Sequence, residues 1–278
     1  MKLKHFFFLF AVVCFSACAQ TNQFVVVNNG HFERGGKPYY YVGTNFWYGA
    51  ILGSEGQGGD RQRQVKELDL MKRMGIDNLR ILVGSDGERG VTTKVEPTLQ
   101  VQPGVYNETI LAGLDYLLME MGKRQMVAVL YLNNSWEWSG GYGFYLEHAG
   151  AGKAPRPNED GYPAYMNFVA QYASNQKAHE LFYDYVRFIL GRTNRYTGVA
   201  YKDDPAIMSW QIGNEPRAFA KEALPAFEQW LAEASALIRS LDGNHLISIG
   251  SEGSWGCEND WDCYERICKD KNIDYCNI

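Results

Sequence analysis

The 278-residue sequence lacks several features that would each indicate a particular class of protein. It has no cluster of Lys and Arg and a formal net charge of −5, which excludes the basic surface of a nucleic-acid-binding protein. It contains neither a G-x-G-x-x-G nor a P-loop motif, and no Pro/Ser-rich linker divides it. With 46% hydrophobic residues, the chain is expected to form one globular domain with a large core.

The amino terminus, MKLKHFFFLFAVVCFSACAQ, has the pattern of an export signal. Lys2 and Lys4 precede an apolar run, Phe6–Phe15, that is too short for a permanent membrane helix of about 20 residues. Two cleavage positions fit: the A-x-A-like site at residues 17–19, or the bond before Cys18. The second resembles a bacterial lipoprotein signal and is favoured, which gives a signal peptide over residues 1–17 and a lipid on Cys18. Either form predicts an exported protein: an outer-membrane or cell-surface lipoprotein, or a secreted or periplasmic one.

Four cysteines lie outside the signal, at Cys257, Cys263, Cys268 and Cys276. An oxidising compartment permits pairing among them, and three connectivities are open. Zinc is the weaker interpretation, because the cluster has no C-x-x-C spacing and no His. The sequence therefore predicts at least one disulfide and no metal.

Short apolar runs alternate with longer segments of helical periodicity, which indicates a parallel α/β fold. Residues 18–38 are predicted to form an amino-terminal segment and hairpin, with turns at Asn29-Gly30 and Gly35-Gly36. A barrel-like domain is predicted over residues 39–278. Its six candidate strands are residues 39–46, 78–84, 126–132, 207–213, 246–251 and 273–278.

The intervening segments carry apolar side chains three or four residues apart, as core-facing helices do. In the first of them, the repeat is Val65, Leu68, Met71 and Met74, and Gly75 ends the predicted helix. Similar repeats occupy residues 110–121, 181–189 and 227–241.

Polar side chains follow the candidate strands, where parallel α/β folds place their sites. Glu215, in WQIGNEPR, ends an apolar strand, and a carboxyl group at such a rim is suited to general acid/base work. Flat aromatic rings can stack on the apolar faces of sugars. Tryptophans at strand ends or in the following loops are candidates for this role: Trp47, Trp136, Trp138, Trp210 and Trp255.

The segments GTNFWYGA, LMKRMGIDNLRILVGSDG, YLNNSWEWSGG, WQIGNEPR and ISIGSEG resemble glycoside hydrolase family 5, specifically its endo-β-1,4-mannanase branch. The resemblance implies a (β/α)8 TIM barrel, of which about six βα repeats are present here. It also implies a retaining glycosidase that acts on β-mannan without a metal or organic cofactor.

The same resemblance assigns roles to individual residues. Glu215 would be the acid/base, Asn214 would bind the sugar 2-hydroxyl, and Arg80 would hold the nucleophile ionised. Trp47 and Trp136 would line sugar subsites. Arg217 and Glu252 match positions that contact the sugar on the leaving-group side.

A retaining enzyme also needs a nucleophilic carboxylate about 5–5.5 Å from the acid/base. The family places it at the end of a seventh strand, and closing the barrel would take on the order of 90 further residues. The chain is therefore expected to be a fragment that lacks the nucleophile and has little activity; Glu252 is a weak substitute. Two alternatives stay open: a non-catalytic surface glycan-binding protein, and a related β-mannosidase or endoglucanase.

Overall fold

A computed structural model describes residues 24–91 and 93–278. The predicted signal peptide, residues 1–17, and Cys18 lie outside the described residues. The strands of the described part are β1 (Val25–Asn28), β2 (His31–Arg34), β3 (Lys37–Pro38), β4 (Val42–Asn45), β5 (Ile76–Leu82), β6 (Gln100–Gln102), β7 (Val105–Tyr106), β8 (Val127–Tyr131), β9 (Ile207–Gln211) and β10 (Leu246–Ser248). Its helices are α1 (Gly49–Leu52), α2 (Arg61–Arg73), α3 (Glu108–Lys123), α4 (Tyr142–Ala149), α5 (Pro157–Asp160), α6 (Tyr162–Val169), α7 (Gln176–Leu190), α8 (Leu224–Leu241) and α9 (Trp261–Cys268).

A five-stranded parallel sheet forms the centre of the fold, in the order β10-β9-β8-β5-β4. Each of these strands pairs with the next in sequence among the five, as in a (β/α)8 barrel. β8 and β9 are buried along their whole length, which explains why their sequences read as nearly continuous apolar runs. Five of the six predicted strands are confirmed.

The sixth predicted strand, over residues 273–278, is wrong. One backbone hydrogen bond joins this segment to β10, from Asp274 N to Ile247 O at 2.9 Å. Side chains take the neighbouring donors: the Asp274 carboxylate accepts from Ile247 N, and Asn277 Oδ1 accepts from Gly250 N at 3.2 Å. Because side-chain oxygens replace backbone carbonyls, no ladder forms and the segment stays irregular.

The predicted hairpin is confirmed and closes the amino-terminal end of the sheet. β1, β2 and β3 pair in antiparallel order, with turns at the two predicted positions. Val25 and Tyr39 from this sheet bury against Val127, Met208 and Leu246, at or beside the amino ends of three central strands. Apolar side chains therefore fill the inner face at this end and leave the opposite end to polar groups.

The predicted helices correspond to α2, α3, α7 and α8, and they pack outside the sheet around the larger core cluster. Asp60, Asn107 and Asn175 cap α2, α3 and α7 by accepting backbone N–H groups with their side chains. Met74 was predicted to face the core but is exposed, because α2 ends at Arg73 and Met74 is its C-cap. No helix of the described ranges has the length and apolar character needed to cross a membrane.

One disulfide joins Cys268 to Cys276, which confirms the prediction of at least one. It fastens the end of α9 to the irregular segment 273–278. Cys257 and Cys263 are free and buried in this structure.

A buried ion pair fixes the connection that leads into β9. Asp115, on α3, is fully buried and accepts from Arg192 Nε at 2.9 Å and Nη2 at 2.8 Å. The Tyr201 hydroxyl donates to the same carboxylate at 2.6 Å. Since Arg192 and Tyr201 flank the segment that leads into β9, this carboxylate positions the strand that carries Glu215.

Replacing Asp115 with Ala should lower the free energy of unfolding by roughly 3 kcal/mol, because the largely buried Arg192 charge would keep only the more exposed carboxylate of Glu108, 3.3 Å away, as a partner. Urea titration of the purified protein measures the change. Asp184→Ala is the matched control: its carboxylate is 74% exposed in a pair with Arg187 and should contribute at most about 1 kcal/mol. Equal losses in the two variants would contradict the role given to Asp115.

Candidate active site

The carboxyl ends of β5, β9 and β10 border an open cleft of about 250 Å³. Four of the side chains that line it are polar or charged residues considered above: Arg80, Asn214, Glu215 and Glu252. Gln211, Ser251 and Asn277 add neutral polar groups to the wall. The cleft is therefore polar and lies opposite the apolar hairpin, at the end where parallel α/β folds place their sites.

Glu215 occupies a strained backbone position just beyond β9. Its φ of 50° lies in the left-handed region that non-glycine residues rarely adopt. Two hydrogen bonds fix this conformation: Glu215 N donates to Gly250 O at 3.0 Å, and Ser135 Oγ donates to Glu215 O. Strained residues fixed by their surroundings cluster at active sites. The conformation turns the chain so that the Glu215 side chain lines the cleft.

Trp136 holds the Glu215 carboxylate. Its indole Nε1 donates to Glu215 Oε2 at 2.6 Å. The indole ring meets Phe219 and Tyr162 edge to face, with centroids 5.5 and 6.1 Å away. Ring contacts on two sides fix the direction of the indole N–H, and so one carboxylate oxygen is held while the other is left for a ligand.

Arg80 and Asn214 are bonded to each other on the floor of the cleft. Arg80 Nη1 donates to Asn214 Oδ1 at 3.0 Å, and Nε donates to Gln211 Oε1 at 2.6 Å. The guanidinium also lies over the Tyr131 ring, 4.3 Å from its centroid. Burial lowers the pKa of Arg80, and the negative potentials of Tyr131 and Glu215 act in the opposite direction. A cation is thus held beside Glu215 by neutral amide oxygens.

Arg217 and Glu252 form an ion pair at the other side of Glu215. The Arg217 guanidinium lies 5.2 Å from the Trp136 ring centroid and 5.9 Å from that of Trp255. Trp255 is 64% exposed, so its ring is available to a ligand. These four residues form a mixed aromatic and charged wall, the chemistry that stacks on a sugar ring and binds its hydroxyls.

Three tryptophans of the predicted set lie outside this wall. Trp138 is one of them, and its backbone oxygen accepts from Val95 N at 2.7 Å. Trp210 was a candidate for sugar stacking, but it is fully buried in the outer core, where its Nε1 donates to Asp242 at 2.7 Å. Successive side chains of β9 point to opposite faces of the sheet, and Trp210 lies on the face that packs into the outer core. Trp47 is 42% exposed and packs edge to face on Tyr48. No hydrogen bond or ring contact among the described residues joins Trp47 to the Glu215 network.

The sequence analysis assigned no individual role to Asn134 or Gln211, which connect the network. Asn134 Oδ1 accepts from Asn214 Nδ2 at 3.2 Å and from Trp136 N at 3.0 Å. Gln211 accepts from Arg80 and donates to Ser248 Oγ at 3.1 Å. A signal was present for Gln211, since a polar residue inside a buried strand needs a hydrogen-bond partner.

The sequence analysis also assigned no individual role to Asp86, the buried carboxyl group closest in sequence to the end of β5. It is only 3% exposed, and its Oδ1 atom has no hydrogen-bond partner among the described residues. Burial raises the pKa of Asp86 to about 7, although the Gln100 side chain, the Gly141 N–H and the more distant Lys94 charge all favour its ionised form. The backbone and Cβ of Asp86 pack against Gly140, which belongs to the loop that carries Trp136.

The described residues contain no group of three or more His, Cys, Asp or Glu side chains arranged to hold a metal ion. The polar groups of the cleft are instead hydrogen-bonded to one another. The cleft presents a positioned carboxyl group, a half-buried cation and an aromatic wall to a ligand.

Comparison with protein families matches residues 22–278 to the model described as GH family 5 beta-mannosidase-like. Among curated proteins, a putative mannan endo-1,4-beta-mannosidase 9 of Oryza sativa subsp. japonica is 31% identical over 242 residues, which cover 87% of this chain and 54% of the rice protein. The chain spans about half the length of the curated relatives it matches.

Two solved structures from Rhizomucor miehei share the fold. A glycoside hydrolase family 5 mannosidase is 36% identical with a TM-score of 0.81, over 92% of this chain and 61% of that one. An endo-1,4-beta-mannanase is 26% identical with a TM-score of 0.71, over 91% and 70%. The five parallel strands and their helices are therefore part of a TIM barrel, as predicted.

Asp86→Asn should change how stability depends on pH. With a folded pKa of about 7 and an unfolded value near 3.8, native Asp86 retains a proton that the unfolded chain releases, so the free energy of unfolding falls as pH rises from about 4 to about 7. The neutral amide removes this fall, and relative to wild type the variant should gain up to about 4 kcal/mol across the range. Urea titrations between pH 4 and 8 measure it.

Asp184→Asn makes the same chemical change at an exposed carboxylate and is the matched control. Parallel stability curves for wild type and Asp86→Asn would show that Asp86 does not titrate in this range.

Proposed function

The chain belongs to glycoside hydrolase family 5, in its β-mannosidase-like group, and on that premise we propose that the whole protein hydrolyses β-1,4-mannosidic linkages in mannan, galactomannan or glucomannan. The observation that carries the proposal is the position of Glu215. Its backbone is strained just beyond β9, and its carboxyl group accepts a hydrogen bond from Trp136. A carboxyl group fixed at the mouth of a cleft can donate a proton to a glycosidic oxygen and later remove one from water.

Glu215 is the proposed acid/base, and the Trp136 N–H supports this role by fixing one carboxylate oxygen. The other oxygen then faces the glycosidic bond. Asn214 is the proposed ligand of the sugar 2-hydroxyl. Its amide is bonded to Arg80 and Asn134, which fix its orientation, although one amide hydrogen and one oxygen lone pair are left for the hydroxyl.

Arg80 is proposed to hold the nucleophilic carboxylate ionised. Its hydrogen bonds go to the amide oxygens of Asn45, Gln211 and Asn214, which do not neutralise the guanidinium charge. An anionic side chain placed beside it would be stabilised, and the retaining mechanism needs a second carboxylate about 5–5.5 Å from the first. Since the chain spans about half the length of its curated relatives, we assign this nucleophile to the remaining part of a longer protein.

We do not propose Glu252 as the nucleophile, because it follows β10, the strand beside β9, whereas the resemblance places the nucleophile at the end of a seventh strand. Arg217, Glu252 and Trp136 are proposed to bind the sugar on the leaving-group side, and Trp47 a more distant sugar. A β-linked mannan presents flat ring faces and many hydroxyls, which an aromatic wall with an embedded ion pair can bind together.

The location of the protein is proposed from the sequence of residues 1–17, which has the pattern of an export signal. We propose that the protein is exported and that Cys18 carries the lipid that anchors it. Mass spectrometry of the mature amino terminus separates lipidated Cys18 from a free Gln20, the product of cleavage after the A-x-A-like site.

A second candidate is an exo-acting β-mannosidase, favoured by the 36% identity to a mannosidase structure. The curated relatives, named as endo-acting enzymes, favour internal cleavage. An endo-acting enzyme lowers the viscosity of galactomannan early and releases mixed oligosaccharides, whereas an exo-acting enzyme releases mannose with little early loss of viscosity. Faster release of sugar from cellulose than from mannan would contradict both candidates and indicate an endoglucanase.

Glu215→Gln in the full-length protein should lower kcat on mannan by about 10²- to 10⁴-fold, because the amide can neither donate nor accept the proton. Binding of mannan oligosaccharides should be retained, since the side chain keeps its shape. Reducing-sugar release measures the first and calorimetry the second.

Glu222→Gln is the matched control, because Glu222 lies exposed in the turn Lys221–Ala223, and it should retain full activity. If wild type and Glu215→Gln bind mannan equally and neither releases sugar, the protein is a glycan-binding protein and the proposed hydrolysis is wrong.

A further inference from the structure

Two buried cysteines lie next to each other behind the Trp255 side of the cleft. Cys257 ends the 3-10 helix Gly253–Cys257, and Cys263 lies in the first half of α9. Cys257 is 2% exposed and Cys263 is fully buried, both within the larger core cluster. With Cys268 and Cys276 already paired, they are the two free cysteines of the described residues.

The backbone between them is a tight reversal. Glu258 and Asn259 both adopt left-handed conformations, with φ of 52° and 64°. Asp260 N donates to Cys257 O at 2.8 Å, while Asp260 Oδ1 accepts from Cys263 N at 2.9 Å. Asp260 therefore binds the backbones of both cysteines, and the two buried thiols are near enough that Cys263 lowers the pKa of Cys257 and Cys257 raises that of Cys263.

We propose that Cys257 and Cys263 form a second disulfide when the protein folds in the presence of a low-molecular-weight disulfide such as oxidised glutathione. The thiolate of one cysteine attacks the glutathione disulfide and releases one glutathione thiolate. The thiolate of the other then attacks the protein sulfur of the mixed disulfide and releases the second glutathione. The two cysteines are oxidised, one glutathione disulfide is reduced, and the two cysteine protons pass to the glutathione thiolates.

The timing of the reaction follows from burial. In the folded protein, burial raises the pKa of Cys257 to about 11, so the reactive thiolate is scarce at neutral pH. In the unfolded chain the thiols have ordinary pKa values and are accessible. The disulfide should therefore form during oxidative folding, and only slowly in protein that has already folded in the reduced state.

The bond would fasten one side of the candidate site. The turn Gly253–Cys257 carries Trp255 and follows Glu252 directly. Gly256 O accepts from Ala218 N at 3.0 Å, and a side chain at Gly256 would lie 2.5 Å from Pro216 O. The turn is thus packed closely against the segment after Glu215, and a Cys257–Cys263 bond would attach that turn to α9.

Peptide mapping of the full-length protein tests the proposal. Trypsin places Cys257 and Cys263 together in one peptide, residues 240–266, and separates Cys268 from Cys276 by cleavage after Lys269 and Lys271. After refolding with reduced and oxidised glutathione, denaturation and alkylation with iodoacetamide, peptide 240–266 should carry no adduct and be about 2 Da lighter than its reduced form. Reduction before alkylation should add two adducts to it.

Protein folded under reducing conditions and then briefly exposed to oxidised glutathione is the control, and its peptide 240–266 should carry two adducts. Two adducts after oxidative refolding would overturn the proposal, as would linkage of Cys257 or Cys263 to Cys268 or Cys276. A Cys257→Ser/Cys263→Ser variant gives a second readout: dithiothreitol should lower the Tm of oxidatively refolded wild type by more than that of the variant. Equal shifts would count against the bond.

Discussion

The pairing of Asn134 with Asn214, just beyond β8 and β9, is the constraint on which the rest of the site depends. Asn214 N donates to Asn133 O at 2.8 Å, so the parallel ladder continues past both strands. The side chains of Asn134 and Asn214 are bonded to each other as well. Because the two loops leave the sheet in fixed register, Trp136 on one meets Glu215 on the other, although 79 residues separate them in the sequence.

The same pairing carries the electrostatics of the cleft. Asn214 uses its oxygen for Arg80 and one amide hydrogen for Asn134, so the half-buried guanidinium is held by a group that brings no negative charge. On the opposite side of Glu215, the charge of Arg217 is instead paired with Glu252, and its guanidinium lies near the rings of Trp136 and Trp255. One arginine is thus left to act on an anion, and the other is suited to contacts with a neutral sugar.

Much of this arrangement could be predicted because it follows from local rules. Runs of apolar residues between helical segments predict parallel strands, and Glu215 at the end of such a run predicts a group at the rim. The wrong predictions have two causes: side-chain oxygens take the place of backbone carbonyls as hydrogen-bond acceptors, and some side chains bind partners that are distant in the sequence. Asp274 and Asn277 accept the hydrogen bonds that a sixth strand would have taken, and no periodicity encodes that exchange. Trp210 differs from Trp136 by the face of the fold that it occupies, which the residue type does not reveal.

The two ends of the sheet show why buried polar groups were harder to predict than apolar ones. At the amino end, Val25 and Tyr39 fill the interior with apolar contacts that tolerate many arrangements. At the carboxyl end, Arg80, Gln211 and Asn214 must each find particular partners, since an unsatisfied buried polar group costs about 1–3 kcal/mol. The need to satisfy these hydrogen bonds in the folded protein therefore restricts which residues can line the cleft. A change at Gln211 would remove the 2.6 Å acceptor of Arg80 Nε and leave the guanidinium held by Asn45, Asn214 and the Tyr131 ring.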